Sequence, residues 1–156
     1  MTECVIKLDD PGSADVMELL RHHLAYALKW SLPDDVHVLP LEQLTSDSVF
    51  FFSAREENRL LGIGALSPVG PRHVEIKSMH TAEDVRGRGV GRAVLEHLVM
   101  FAREKECRRV SLETGMGDAF APARALYRSG GFHPCSPFGV YRASPDSICM
   151  TLQLSS

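Results

Sequence analysis

Scarcities in this chain narrow its class before any motif does. Only 4 of its 156 residues are cysteine. Cys4, Cys107, Cys135 and Cys149 form no C-x-x-C pair, which argues against a zinc site or a disulfide framework and fits a reducing compartment. No run approaches the roughly 18 consecutive apolar residues of a membrane-spanning helix. The opening "MTECVIKLDD" lacks a basic stretch followed by an apolar one, so a cytoplasmic protein is expected, with no membrane partner. Neither sign of charge dominates: 17 Lys and Arg stand against 20 Asp and Glu, for a net charge of -3. Such a balance supplies no global field to gather nucleic acid, so any anion recognition must be local. The histidines show no metal-ligand spacing, and no metal is expected. Repeats, low-complexity tracts and linkers are absent too, and a single domain over residues 1–156 is expected.

What is present alternates between helical and extended patterns. "CVIKL" at 4–8 reads as a strand that stops at the turn "DDPGS". Ser13 or Asp15 then caps a helix to about Trp30, its apolar face formed by Val16, Leu19, Leu20, Leu24, Ala27 and Leu28. Pro33 ends it, and one or two helical turns are expected around Leu41 to Leu44. "SVFFFSARE" (48–56) and "RLLGIGALSPV" (59–69) form a hairpin through "EEN", and "HVEIKSMH" follows as a third strand. From Gly89 the spacing becomes helical, with Val90, Val94, Leu98, Phe101 and Ala102 on one stripe, until about Lys105. A strand at 108–114 precedes a helix from about Pro122, with Ala125 and Leu126 inward and Gly130 or Gly131 as C-cap. The rest reads as a proline-rich loop and a closing strand from about Ser147 to Leu154.

The segment "VRGRGVGR" (85–92) is the local exception to the unremarkable charge. It opens a helix, whose first amides lack partners and lie at the positive end of the helix dipole. Gly87, Gly89 and Gly91 let an anion approach the backbone, while Arg86, Arg88 and Arg92 add donors and charge. A Walker A loop would need Lys and Ser or Thr where Arg92 and Ala93 stand. A dinucleotide turn would need G-x-G-x-x-G, and the spacing here is G-x-G-x-G. A phosphate-holding turn and a solvated basic loop both remain open on these residues alone.

The surrounding residues resemble one family. "VRGRGVGRAVLEHLV" fits the R/Q-x-x-G-x-G/A signature of the GCN5-related N-acetyltransferases (GNAT), with Arg86, Gly89 and Gly91 at the signature positions. "ARALYRSGGF" matches that family's A-x-x-L-Y-x-x-x-G-F segment, and the order of elements is similar along essentially the whole chain. "EIKSMHT", "SLETG", "FAPARALY" and "PFGVY" look like a bacterial subgroup, some members of which carry an indoleacetate-related name.

The resemblance implies an α+β fold with a mixed, mostly antiparallel sheet flanked by helices on both faces. It implies acetyl-CoA as acetyl donor, its pyrophosphate on the backbone of residues 86–92 (Arg86, Gly87, Arg88, Gly89, Val90, Gly91, Arg92). Its pantetheine arm would lie along Met79, His80 and Thr81, in a slot opened by splaying of strands 73–80 and 108–114. Family members often carry an Asn after the second of these strands, where this chain has "TGMGD". Tyr127 stands at the family's tyrosine position and would protonate the departing sulfur; its other reading is a core aromatic beside Leu126 and Phe132. Glu75, expected by alternation to share a face with Lys77 and Met79, is the first candidate base, and Glu113 on the facing strand is the second. Phe138 and Tyr141 could wall the acceptor pocket. Among the histidines, His22 and His23 are expected to face solvent in part, and His80 to lie near the thioester. The implied reaction is direct transfer to an amine in a ternary complex. A non-catalytic acyl-CoA-binding domain is the alternative, and homodimers are common in the family.

Overall fold

The computed structural model describes residues 4–154; residues 1–3 and 155–156, the ends of the expected domain, lie outside them. In chain order the elements are β1 (Val5–Leu8), α1 (Ala14–Trp30), α2 (Leu41–Leu44), β2 (Phe50–Glu56), β3 (Arg59–Gly70) and β4 (His73–Thr81). There follow α3 (Val90–Glu104), β5 (Arg109–Gly115), α4 (Ala121–Ser129), β6 (His133–Cys135) and β7 (Ser147–Gln153). The strands form one sheet in the order β1-β2-β3-β4-β5-β7-β6. Neighbours are antiparallel except β4 and β5, the one parallel pair.

Strand alternation splits the apolar residues between two faces. Phe51, Ile63 and Ala65 pack with Val16 and Leu19 of α1 and Leu44 of α2. Phe52, Ile76, Val110 and Leu112 pack on the other face with Val94, Leu98 and Ala102 of α3 and Tyr127 of α4. Helices therefore cover both faces, as the α+β reading requires. Contact between α3 and the sheet is close: a Cβ at Gly64 would stand 3.0 Å from both Leu98 Cδ1 and Val94 Cγ1.

Several expectations need correction. Residues 133–146 are not all loop, because β6 pairs with β7 at the sheet edge. Pro134 lacks an N–H and suits an edge position, but three residues give no readable alternation. In α1, Leu24 is 40% and Leu28 is 55% exposed, since the inward stripe runs from Val16 and Leu19 to His23 and Tyr26, which meet His80 of β4, and leaves these leucines to its side. In α4, Ala125 is exposed, Leu126 half-buried and Tyr127 buried. The helix is rotated so that the tyrosine, with far more apolar area than alanine, faces the core.

The most consequential departure is in β4. Its partners on β3 run Lys77 with Ala65 and then His80 with Ile63, so β4 carries one extra residue there. Ser78 sits in this bulge with φ of 54°, the left-handed region that a side chain disfavours. One inserted residue reverses the alternation beyond it. Met79 therefore packs with the α3 cluster rather than sharing the face of Glu75 and Lys77, and His80 turns toward α1.

Candidate active site

The parallel pairing of β4 with β5 covers only His73 with Arg109, Val74 with Val110 and Glu75 with Ser111. Beyond these pairs the strands splay, because β4 bulges away while β5 continues straight along β7. A cavity of about 560 Å³ fills the fork, lined by residues 76–81 of β4 and 112–115 of β5. Its two ends differ in chemistry.

At one end stands the start of α3. Gly87 and Gly89 have φ of 81° and 88°, and a Cβ at either would meet nothing within 4 Å. What these two positions require is the left-handed backbone, which glycine adopts without cost. Gly89 is the N-cap of α3 and supplies no side chain, so the first helical amides are left open toward the cavity. Partial positive charge at such an end favours an anion by about 0.3–1 kcal/mol when exposed. Arg86, Gly87, Gly89, Val90, Gly91 and Arg92 all line the cavity. Arg88 does not; its guanidinium lies 3.5 Å from the Glu56 carboxylate. Arg86 is held in place by contacts to the Thr81 carbonyl (3.4 Å) and His80 Nε2 (3.3 Å), with its guanidinium over the Tyr26 ring. These residues fit a pyrophosphate: backbone donors, an absence of Cβ atoms and two cationic side chains converge on one open concavity.

Met79, His80 and Thr81 line the cavity beside the start of α3, and Tyr127 lines it as well. Tyr127 is 8% exposed and belongs to the core cluster, with its ring 6.2 Å from that of Phe132. It is thus both a packed aromatic and a cavity residue, and burial pushes its phenol up to about 12. His80 and His23 meet Nδ1 to Nδ1 at 3.1 Å. His23 is half-buried and His22 exposed, and the β4 bulge brings His80 against His23. Burial, first, and the neighbouring His23 and Arg86 hold His80 down to about 3; burial and then Lys77 hold His23 down to about 4. Both rings are neutral at physiological pH.

The far end is acidic. Asp35, Glu113 and Asp146 line it together with Lys77 and Tyr141. Lys77 is already engaged: its Nζ donates to the His37 carbonyl at 2.8 Å and to the Tyr141 hydroxyl at 2.6 Å, and lies 3.4 Å from Glu75 Oε2. Glu75 is 5% exposed, accepts the Tyr141 hydroxyl and is not a cavity-lining residue. Burial, opposed by Lys77 and reinforced by Asp35 and Glu75, pushes Glu113 up to about 7. Its Oε2 is buried without a hydrogen-bond partner. The two glutamates thus share a sheet face but not an environment. Tyr141 reaches the cavity; Phe138 stands behind it, its ring 5.1 Å from that of Tyr141. Where the family often places an Asn, Gly115 lets the Phe120 ring lie flush on the strand; a Cβ there would overlap the ring. Ser78, Asp35 and Asp146 were not singled out by the sequence reading. Only a positive φ at a serine marks the first, and loop positions at 35 and 146 carry no periodic signal.

The family model described as the Acetyltransferase (GNAT) family matches residues 16–132. The chain belongs to the GNAT family. It is an acetyl-CoA-dependent acetyltransferase. Among its relatives, an uncharacterized N-acetyltransferase of Bacillus subtilis, YsnE, is 42% identical over 96% of this chain and 99% of its own length. Another uncharacterized N-acetyltransferase, YedL of Escherichia coli, is 38% identical over 96% of this chain and 94% of the relative. A Bacillus subtilis acetyltransferase crystallised with CoA shares the fold at a TM-score of 0.74, with 17% identity over 98% of this chain and all of that one. Among the acetyltransferase's described residues no group of three or more His, Cys, Asp or Glu could hold a metal ion. No helix among them is long and apolar enough to cross a membrane.

Proposed function

We propose that this GNAT enzyme transfers the acetyl group of acetyl-CoA to a primary amine of a small molecule or peptide terminus, by direct attack in a ternary complex. The observation that carries the reading is one cavity with a glycine-rich helix start at one end and, at the other, carboxylates that have no ion-pair partner among the described residues. Arg86, Arg92 and the amides at the start of α3 would hold the pyrophosphate, and the fork beside Met79, His80 and Thr81 would take the pantetheine arm. An amine arrives protonated, and three carboxylates against one committed lysine favour a cation over an anion.

Glu113 is assigned as the base in preference to Glu75. It lines the cavity with an oxygen free, and its elevated proton affinity suits a group that must accept a proton near neutral pH. Glu75 is committed to Tyr141 and Lys77. The arriving ammonium first gives one proton to Glu113, which passes it to water, and the freed lone pair then forms the new C–N bond as a second nitrogen proton passes to Glu113. The C–S bond breaks with its electron pair on sulfur, which Tyr127 protonates. The products are the acetamide and CoA thiol, and the two residues re-equilibrate with solvent.

An acceptor screen tests this directly. Primary amines, amino acids and peptides are incubated with acetyl-CoA and released thiol is read with a chromogenic disulfide. At least one amine should give turnover that Tyr127→Phe lowers sharply. Release of thiol unaffected by any amine would count against the reading.

A further inference from the structure

Two buried side-chain oxygens among the described residues lack any hydrogen-bond partner, Ser78 Oγ and Glu113 Oε2. Native structures leave few such atoms, because a buried polar group without a partner forfeits its hydration for nothing. These two are not scattered. Both residues line the cavity, one on each arm of the fork between β4 and β5. Glu113 is accounted for by the proton it must take. Ser78 is not, and nothing in the established activity assigns it a role.

Ser78 is costly twice over. It is 6% exposed with its hydroxyl unmatched, and it holds φ of 54°, where glycine would be relaxed and serine is strained. Backbone strain of this kind persists where the surrounding fold enforces it, and it gathers at functional sites. Here the enforcing feature is the bulge that opens the fork. Its chain neighbours Lys77 and Met79 line the cavity as well, one reaching toward the acidic end and the other toward α3. The hydroxyl therefore belongs to the junction between donor and acceptor ends, where the bond to be broken must lie.

We propose that Ser78 is a further catalytic residue, whose hydroxyl donates a hydrogen bond to the acyl oxygen of acetyl-CoA. This rests on the proposed course of the donor along the fork. When the amine nitrogen attacks, the carbonyl π pair moves onto that oxygen, and a donor at its position strengthens as the charge grows. The Ser78 proton is not transferred; it stays on Oγ while the carbonyl reforms and the C–S bond breaks.

Ser78→Gly and Ser78→Ala test this, with calorimetric titration of acetyl-CoA and CoA separately. Infrared difference spectra of acetyl-CoA isotope-labelled at the carbonyl carbon supply a readout independent of turnover. Glycine removes the hydroxyl and relaxes the backbone, so it serves even if the alanine variant folds poorly. Both variants should bind acetyl-CoA about two- to tenfold more weakly, the range of one neutral hydrogen bond, while CoA affinity is unchanged. The bound carbonyl band should move to higher frequency, and turnover with any acceptor should fall by about 10²–10³. An unmoved carbonyl band with acetyl-CoA still bound would overturn the proposal. Equal weakening of CoA and acetyl-CoA would overturn it too, placing the hydroxyl on the pantetheine arm. Failure of the unmutated protein to bind acetyl-CoA would instead overturn the donor reading, and this inference with it.

Discussion

The two ends of the cavity, the glycine turn proposed for the donor and the acidic end proposed for the acceptor, are built by different means. The donor end is a contiguous stretch, residues 86–92, which offers the backbone amides of a helix start with the Arg86 and Arg92 side chains beside them. The acidic end draws Asp35, Lys77, Glu113 and the pair Tyr141 and Asp146 from four separate parts of the chain, and the groups it offers are side chains. A backbone site depends on local φ and ψ and tolerates wide change elsewhere. A side-chain site depends on register and loop docking, so a displacement anywhere in its supports alters it.

Substitutions can break this contrast in order of expected effect. Gly91→Glu should abolish the thermal shift produced by acetyl-CoA, because its Cβ would already lie 3.3 Å from Leu126 Cδ2 and the carboxylate would enter the pyrophosphate position. A retained shift would place the phosphates elsewhere. Glu113→Gln should lower turnover by about 10²–10⁴ and leave acetyl-CoA affinity intact. In the unmutated enzyme the rate should rise with pH through about 7, where Glu113 loses its proton; survival of that limb in the glutamine variant would remove Glu113 as base. Tyr127→Phe is expected to lower turnover while leaving CoA affinity within a few-fold, and an unchanged rate would end its role as acid.

Smaller effects sharpen the same comparison through stability. Leu98→Ala, behind the donor end in the α3 core, should cost about 2–5 kcal/mol in denaturant unfolding. Glu113→Gln should do the opposite. The folded protein holds the Glu113 proton more tightly than the unfolded chain does, so stability is lost as pH rises from the ordinary carboxylate range through about 7. A neutral glutamine avoids that loss and should stabilise by roughly 1–3 kcal/mol at about pH 8, with no gain at about pH 4. Equal effects at both pH values would show that the carboxylate is solvated.

Much of the fold followed from patterns that survive folding. The family resemblance already implied a sheet covered on both faces, and the stripe of Val90, Val94 and Leu98 implied the helix that covers one of them. Alternation failed at Ser78, because a bulge is chosen by the packing of β3, β4 and α3 together and leaves no mark in composition. That failure moved Met79 off the face of Glu75 and brought His80 against His23. The rotation of α4 was likewise settled by which side chain buried more apolar area.

By itself, then, the amino-acid sequence pointed to the donor through a resemblance, a glycine turn opening a helix paired with a tyrosine segment further on, and the left-handed backbone at Gly87 and Gly89 is a short-range property of that turn. Tertiary structure alone decided which glutamate lines the cavity. Glu75 and Glu113 are the same residue type on neighbouring strands and the same sheet face. They differ only in long-range contacts, as Tyr141 and Lys77 occupy the first, while the second lines the cavity with one buried oxygen unpartnered. Burial and partnership of that kind are sums over residues distant in the chain, and no local pattern encodes them.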